Sequence, residues 1–295
     1  MSNLLFVCYI VFVMATASPR SGLPRGQERR LLQALEYLDR DYLDLRADAA
    51  LFAQITPQPR KLMYRLKRKG LAASIQNGRY LVYRDGRPRP ASRPRVRSLE
   101  PLAAAVLRRL EHDYFLSWHS ALWHHRLVEQ QSRRLYVAVE GARKRDAAFG
   151  SFSIRFLTVA PERFFGGMTV CIGGQDVRVA TVERAIIDAF DRPELAGDPV
   201  AAPVALRAAH SRGKLDSERL VELALRFDRP SLNRRLGFFM ERYDIPGAEP
   251  LQTSLGKGYA VTLAAGVRPE DEAGVETRWG VRLDRTLLAG ADRPK

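Results

Sequence analysis

Cysteine and acidic residues are both scarce in this sequence. Its 295 residues include two cysteines, Cys8 and Cys171, which excludes a disulfide framework and a multi-cysteine zinc site. Aspartate and glutamate total 33 against 48 lysines and arginines, so the net charge is +15 and the pI is near 10.3. This imbalance favours a polyanionic partner, nucleic acid first and an anionic membrane surface second. A GC-rich coding sequence would also produce an excess of arginine and alanine, so the position of the charge matters more than its total.

The motifs of common catalytic and cofactor sites are missing as well. No Gly-x-Gly-x-x-Gly or Walker loop is present to hold a nucleotide. His119, His124 and His125 lie at about 0°, 140° and 240° on a helix, so they do not share the face that a metal pair needs. Ser117 lacks the sharp glycine turn of a hydrolase nucleophile and is instead a candidate helix N-cap. The sequence therefore predicts no metal, no cofactor and no catalytic residue.

Long apolar runs are represented by one segment, "LLFVCYIVFVMA", near the N-terminus. It has the length of a secretory signal and is too short for a comfortable transmembrane helix. No lysine or arginine precedes it, and Met14 lies at its end. We interpret residues 1–26 as a lead whose first part follows a start codon assigned too early, with a true signal peptide as the alternative. The expected location is cytoplasmic, without a membrane partner.

Residues 27–83 predict a small winged helix-turn-helix domain. Three helical stretches, "ERRLLQALEYLDR", "ADAALFAQI" and "TPQPRKLMYRLKRKG", precede two β-prone runs around Asn77-Gly78, a strong hairpin signal. A short extended piece around residues 43–45 separates the first two helices. In the third helix, Thr56 is the expected N-cap, Pro57 the first helical residue and Gly70 the stop.

The third helix is predicted to have an apolar side and a basic side. Leu62, Met63 and Leu66 cluster on one side at 100° per residue. The stretch 60–69 contains no acid, and Arg65 lies at the border between the two sides. Four residues form the opposite, basic side: Arg60, Lys61, Tyr64 and Arg68. This pattern is typical of a recognition helix in the major groove, with Asn77 and Arg79 on a wing that contacts the backbone or minor groove. An ordinary charged surface helix is the alternative.

Residues 84–98 predict a basic linker. The stretch "RDGRPRPASRPRVR" contains six arginines, one aspartate and three prolines, and the prolines make it semi-rigid. Arg87 and Arg89 lie in "GRPRP", which is similar to the minor-groove core of an AT-hook. As a plain linker or as an AT-hook, it would add salt-sensitive affinity for phosphates.

Residues 99–295 predict a mixed α/β domain, which makes the whole chain α+β. A helix at 98–111 is followed by short β-prone runs, then by helices, and a final β pair closes the sequence. One of these helices, "TVERAIIDAFDRP", has Thr181 as its expected cap. Asp188 and Asp191 in the same helix leave a metal-dependent nuclease open as an alternative.

The order of several blocks resembles the AbiEi-type antitoxin family of the type IV, abortive-infection class. "YFLSWHSALWHHRLVEQ" fits that family's "YYxSxxSALxxHGLTEQ" block, although Arg126 and Val128 replace its glycine and threonine. "FFGG", "VATVERAIIDAFDRPELAG" and "NRRLGFFME" resemble later blocks in the same order, and the resemblance covers about residues 27–283. It implies a regulator whose N-terminal domain binds operator repeats in double-stranded DNA of its own promoter and represses its operon. It also implies a C-terminal domain that counteracts a nucleotidyltransferase toxin without an obligatory stable complex.

Two other classes of function stay open from the sequence. One is a stand-alone or ligand-sensing DNA-binding regulator, whose C-terminal domain would bind a small molecule. The other is a nuclease directed to DNA by the winged domain. On the antitoxin hypothesis, the histidine-rich block around His119 is a structural or interaction surface rather than a catalytic site.

Overall fold

The protein is a mixed α+β chain that divides into two compact units. The computed structural model describes residues 26–88, 107, 112–149, 152–172 and 175–293, except for 39, 77, 85, 257, 268 and 270. One unit takes in the chain up to Leu110 with Ala147–Ser153 and Cys171–Val177, and the other takes in the remainder. The predicted linker at 84–98, the helix at 98–111 and the N-terminal apolar run fall largely or wholly outside the described residues. In the part of the chain that is described, no helix is both long and apolar enough to cross a membrane.

The N-terminal part of the first unit contains three helices and a three-stranded antiparallel sheet. In chain order these are α1 Gln27–Tyr37, β1 Tyr42–Asp44, α2 Ala49–Ile55, α3 Pro59–Arg68, β2 Ala72–Gln76 and β3 Arg79–Val82. The sheet order is β1-β3-β2. The predicted helices and hairpin are present, and the predicted extended piece is β1. Gln76 pairs with Arg79, so a two-residue turn joins β2 to β3, with Gly78 at φ +76°.

Helix α3 begins two residues later than the sequence predicts. Thr56 was expected to cap it, but the Thr56 side chain accepts a 3.1 Å hydrogen bond from the Gln58 backbone N–H, and Gln58 is the N-cap residue. Pro59, rather than Pro57, occupies the first helical turn, where its missing N–H is harmless. Pro57 and Pro59 both lack the N–H that is unused in the first turn of a helix. The hydrogen bond from the Gln58 N–H to the Thr56 side chain leaves Pro57 before the helix and Pro59 in its first turn. Gly70 follows the helix at φ +68°, as expected for a stop.

Leucine-rich faces of the three helices form the core of this region. Leu31 and Leu35 of α1, Phe52 of α2, and Leu62 and Leu66 of α3 are each 0–1% exposed and belong to one apolar cluster. Burying a side chain of this size contributes about 1.5–3 kcal/mol. The apolar side of α3 is therefore fixed inward, and its basic side is left for solvent or a ligand.

From residue 114 onward, the described part of the chain forms helices and two sheets. The strands are β4 Tyr114–Leu116, β5 Arg134–Glu140, β6 Ala147–Phe149, β7 Phe152–Val159, β8 Gly167–Ile172, β9 Gln175–Ala180, β10 Val261–Thr262, β11 Glu272–Glu276 and β12 Val281–Asp284. The helices are α4 Trp118–His124, α5 Val182–Asp191, α6 Pro193–Ala196, α7 Ala201–Ser211, α8 Ser217–Phe227, α9 Pro230–Arg242, α10 Glu249–Thr253 and α11 Arg285–Asp292. The sheet orders are β6-β7-β5-β4-β9-β8 and β10-β12-β11.

Strand β4 lies near the middle of the larger sheet and positions the histidine-rich block. It pairs antiparallel with β5 and parallel with β9, where Leu116 faces Val179. Helix α4 follows directly, and α5 begins after Thr181, whose side chain accepts the predicted capping bond from the Arg184 N–H at 3.3 Å. Helix α5 ends at Asp191, before Pro193, as the sequence predicts.

Candidate nucleic-acid interface

The exposed side of α3 is a continuous basic surface, which we call the basic face: Arg60, Lys61, Tyr64 and Arg68. All four residues are exposed, and Tyr64 keeps 62% of its surface in solvent. On the other side of the same helix, Leu62, Met63 and Leu66 are fully buried. The predicted division of the helix into two sides is therefore present, and Lys67, which the prediction did not name, is exposed as well.

The charge of this helix is positive along its whole length. No residue between Pro59 and Arg68 is acidic, and its last turn carries Arg65, Lys67 and Arg68. An aromatic ring among cations on one helix face matches the chemistry of a duplex groove, where phosphates attract arginine and lysine and base edges offer acceptors.

Arg65 lies at the border of the basic face and is partly engaged by α1. Its guanidinium donates to Gln27 Oε1 at 2.9 Å and lies 3.9 Å from Glu28 Oε1. Lys69 donates to the other Glu28 oxygen at 2.7 Å. The Glu28 carboxylate is nearly buried, so it holds the C-terminal end of α3 against α1. Nothing in the sequence pattern joins Glu28 to residues about forty positions away, so this contact was not predicted.

Arg79 was predicted to contact DNA from the wing, but the structure places it elsewhere. It is 7% exposed, and its Nε donates to Asp44 Oδ2 at 3.2 Å. The reason is strand register, since Arg79 of β3 is paired directly with Asp44 of β1. Asp44 also accepts from the Arg46 and Ala47 backbone N–H groups, which fixes the carboxylate. Arg79 therefore stabilises the sheet, and its buried guanidinium is not presented to a DNA duplex.

Of the remaining predicted contact residues, Asn77 lies between β2 and β3 in the sequence, and Arg87 and Arg89 follow β3. Arg87 is exposed. Asn77 and Arg89 lie outside the described residues. Arg84 is also predicted linker sequence, yet it pairs with Asp41 and donates to the Leu35 carbonyl at 3.4 Å. The first residue of the predicted linker thus belongs structurally to the first unit.

The histidine-rich block forms internal framework in the second unit. Ser117 precedes α4 as predicted, but its hydroxyl donates to Asp188 Oδ2 rather than capping the helix. Ser120 Oγ accepts from the Tyr136 N–H at 2.8 Å, and His125 Nε2 bonds the Ala180 carbonyl at 2.7 Å. These side chains tie α4 to α5 and to strands β5 and β9. Burial lowers the pKa of both His119 and His125.

The helix acids considered as nuclease residues are both paired with arginines. Arg184, 1% exposed, binds Asp188 through Nε at 3.0 Å and Nη2 at 2.9 Å. Asp191 pairs with Arg229, although burial still raises the Asp191 pKa against the effect of that arginine. Across the described ranges, no three histidine, cysteine or acidic side chains lie close enough to hold a metal ion. Asp188 and Asp191 therefore have structural partners in the residues around them.

Comparison with known proteins supports the fold and gives no function. No protein-family model and no curated protein matches the chain. Among solved structures, the chain is similar to the RV2827C protein from Mycobacterium tuberculosis, with a TM-score of 0.65. The match covers 94% of this chain and 99% of that one at 15% identity. At this identity the likeness concerns the α+β fold alone.

Proposed function

We propose that residues 27–83 form a winged helix-turn-helix domain and that the protein is a DNA-binding transcriptional regulator. The observation that carries this proposal is the basic face of α3, which is free of acids and lies opposite a fully buried apolar side. Helix, strand, helix, helix and hairpin follow one another in the order of such a domain. Helix α3 would enter the major groove, and the β2–β3 hairpin would be the wing.

The division of roles within α3 follows from burial and pairing. Arg60 and Lys61 lie in its first turns, from which a recognition helix reaches base edges. Tyr64 presents an apolar ring to thymine methyl groups or to the sugar edge. Arg65 is half engaged by Gln27 and Glu28, so it suits a phosphate contact at the rim better than base readout. Glu28 and the buried leucines hold α3 in place, which pre-organises this surface.

Fluorescence anisotropy with two DNA duplexes tests this proposal. One duplex carries the sequence upstream of the gene for this protein, and the other is a scrambled version of equal length. Arg60→Ala should weaken binding to the first duplex more than to the second, by about 1–3 kcal/mol if the arginine contacts guanine. Arg219→Ala, an exposed helical arginine of the second unit, removes the same charge and should change neither affinity. Equal loss on both duplexes for Arg60→Ala would contradict base readout.

For the second unit, we propose that it counteracts a nucleotidyltransferase toxin, as the AbiEi-type resemblance suggests. The support lies in how the resembling residues are used. Ser117, Ser120 and His125 each make a bond that joins α4 to another element, so the shared pattern describes a framework rather than a catalytic centre. The test is growth of cells that express a nucleotidyltransferase from the neighbouring gene, with and without this protein. No rescue by the intact protein would refute the antitoxin proposal.

A further inference from the structure

A cavity of about 300 Å³ opens in the second unit beside α4, and the framework described above does not use it. Its walls come from α4, from the segment between α4 and β5, from β5 itself, and from α6 with the turn that follows it. The polar side chains that line it include His119, Gln130, Gln131, Tyr136 and Glu194. Three of these, His119, Gln130 and Gln131, belong to or directly follow the histidine-rich block, which gives part of that block a surface role.

Hydrogen bonds and close packing fix two walls of the cavity. Tyr136 is held at both backbone groups, because its N–H donates to Ser120 Oγ at 2.8 Å and its carbonyl accepts from the Ser117 N–H at 3.1 Å. His119 lies against Gly197, where a Cβ atom would be 3.2 Å from the imidazole Cδ2. Gly197 has φ +122°, which other residues rarely adopt, so the turn can approach the ring this closely. The backbone at Tyr136 and the imidazole of His119 are therefore held in place by the fold.

Four polar side chains of the lining are available to a ligand. Within the described ranges, no residue hydrogen-bonds the His119 imidazole, the amides of Gln130 and Gln131, or the Tyr136 hydroxyl. Burial lowers the pKa of His119, with Asp198 acting in the opposite direction, so the ring is neutral near pH 7. A neutral imidazole offers one donor and one acceptor, and each amide offers both.

The charge of the lining narrows the class of ligand. None of its described residues is a lysine or arginine, and Glu194 contributes a carboxylate that pairs with Arg192 at 3.0 Å. Asp198 adds a second acid close to His119. A phosphate or carboxylate would therefore meet two acids, and the lining residues themselves contribute no cation. The volume lies at the small end of ligand sites, too small for a dinucleotide.

We propose that this cavity binds a nucleobase or a nucleoside, whose planar uncharged ring hydrogen-bonds the amides of Gln130 and Gln131 and stacks beside Tyr136. Glutamine amides match the alternating donors and acceptors along a base edge, as they do in adenine recognition. Unstacked bases in protein sites characteristically lie on tyrosine or histidine rings. The cavity would give the protein a small-molecule site in the second unit, whether or not the first unit binds DNA.

Isothermal titration calorimetry on the full chain tests the proposal with defined probes. These are adenine, adenosine, guanosine, cytidine and uridine, with adenosine 5′-monophosphate and glucose for comparison. We expect saturable binding of at least one base or nucleoside, and weaker binding of its 5′-monophosphate. Gln130→Ala and His119→Ala should each reduce the affinity about tenfold, the loss expected for one hydrogen bond in a partly enclosed site. His210→Ala, which changes an exposed histidine of α7, is the matched control and should leave affinity unchanged.

Several results would overturn the proposal. One is the absence of binding for all five bases and nucleosides up to about 10 mM, which corresponds to a free energy weaker than about 3 kcal/mol. Tighter binding of glucose or of the monophosphate would show a different ligand class. Affinity unchanged by both Gln130→Ala and Gln131→Ala would place the ligand elsewhere. These two glutamines are exposed, so the test stands even if the His119 variant does not fold.

Discussion

Trp279 packs directly against the backbone of α9 at Gly237. A Cβ atom at position 237 would be 2.0 Å from Cζ3 of the indole and 2.2 Å from Cη2. The indole is fully buried, its Nε1 donates to Glu241 Oε2 at 2.7 Å, and its backbone N–H donates to Glu276 Oε2 at 2.8 Å. The glycine inside the "RRLGFF" segment therefore marks a close approach between α9 and the turn that leads into β12.

Gly237→Ala should destabilise the second unit. Alanine in a helix is favoured over glycine by about 1 kcal/mol, but the clash requires a buried indole bonded at two points to move. Overpacking of this kind typically costs about 1–3 kcal/mol or more, so the loss should dominate. Urea denaturation followed by tryptophan fluorescence measures it. Gly256→Ala, where the added carbon meets nothing within 4 Å, is the control and should change stability little. A Gly237→Ala protein as stable as the wild type would contradict this packing.

Asp188→Ala should cost more stability than removal of an exposed acid. Asp188 neutralises Arg184 at 1% exposure and accepts from Ser117, so its loss leaves a buried guanidinium without its counter-ion. Breaking a buried pair in this way costs about 3–5 kcal/mol. The backbone carbonyls of Arg163 and Phe165 still accept hydrogen bonds from Arg184 at 2.6 and 3.0 Å. We therefore expect a loss of stability near the lower end of that range. Glu222→Ala removes an exposed partner of Arg219 and should cost less than about 1 kcal/mol in the same denaturation experiment.

The spacing of apolar residues predicted much of the fold, whereas contacts between residues far apart in the sequence were not predicted. The two sides of α3 follow from periodicity alone, and Thr181 caps α5 as its residue type suggests. Strand β4 has three residues and α6 has four, too few to show a period. Arg79 was placed on DNA because it follows the turn, but its partner Asp44 is set by register across the sheet. The cavity beside His119 joins residues from three segments, which a single sequence does not bring together.

Stability should fall as the solution is acidified below neutral pH, and His125 should be one cause. Burial lowers the pKa of His125 in the folded protein, opposed by its bond to Ala180, so the unfolded chain holds that proton more tightly. The contribution of neutral His125 to the free energy of unfolding is fully present above the pKa of about 6.5 in the unfolded chain. It is lost as the pH falls from there toward the pKa of His125 in the folded protein. Titration of this one histidine changes the free energy of unfolding by at most about 1.4 kcal/mol per pH unit.

His125→Gln should flatten this dependence. Glutamine keeps an N–H donor for the Ala180 carbonyl and does not titrate. Urea denaturation at a series of pH values from about 7.5 to 5 gives the slope for each protein. His112→Gln replaces an exposed histidine and should reproduce the wild-type slope. Parallel curves for His125→Gln and the wild type would show that another group carries the effect.

The salt dependence of DNA affinity should distinguish the contacts made by the basic face from those made by the predicted linker. Linker arginines that contact only phosphates contribute equally on any DNA, so Arg87→Ala and Arg89→Ala should lower affinity for specific and scrambled duplexes together. Each should also reduce the slope of log affinity against log salt by about 1. Arg68→Ala should instead reduce the difference between the two duplexes. Anisotropy titrations over a range of salt concentrations give both quantities. If the linker variants changed only the specific duplex, the arginines would be reading sequence.

DNA binding and protection from a toxin should be separable by substitution in the full chain. The basic face lies wholly within α3, and the residues that resemble the antitoxin pattern lie in the second unit. Arg60→Ala combined with Arg68→Ala should therefore abolish specific DNA binding and leave growth rescue intact. Both side chains are exposed, so their removal should cost the fold less than about 0.5 kcal/mol. The toxin must be expressed from an unrelated promoter, since repression of its own operon would otherwise imitate protection. Gly237→Ala serves as the converse variant, with expected loss of rescue at 37 °C and retained DNA binding. If the double variant lost rescue while remaining folded, protection would depend on DNA binding, and the proposed division between the two units would be wrong.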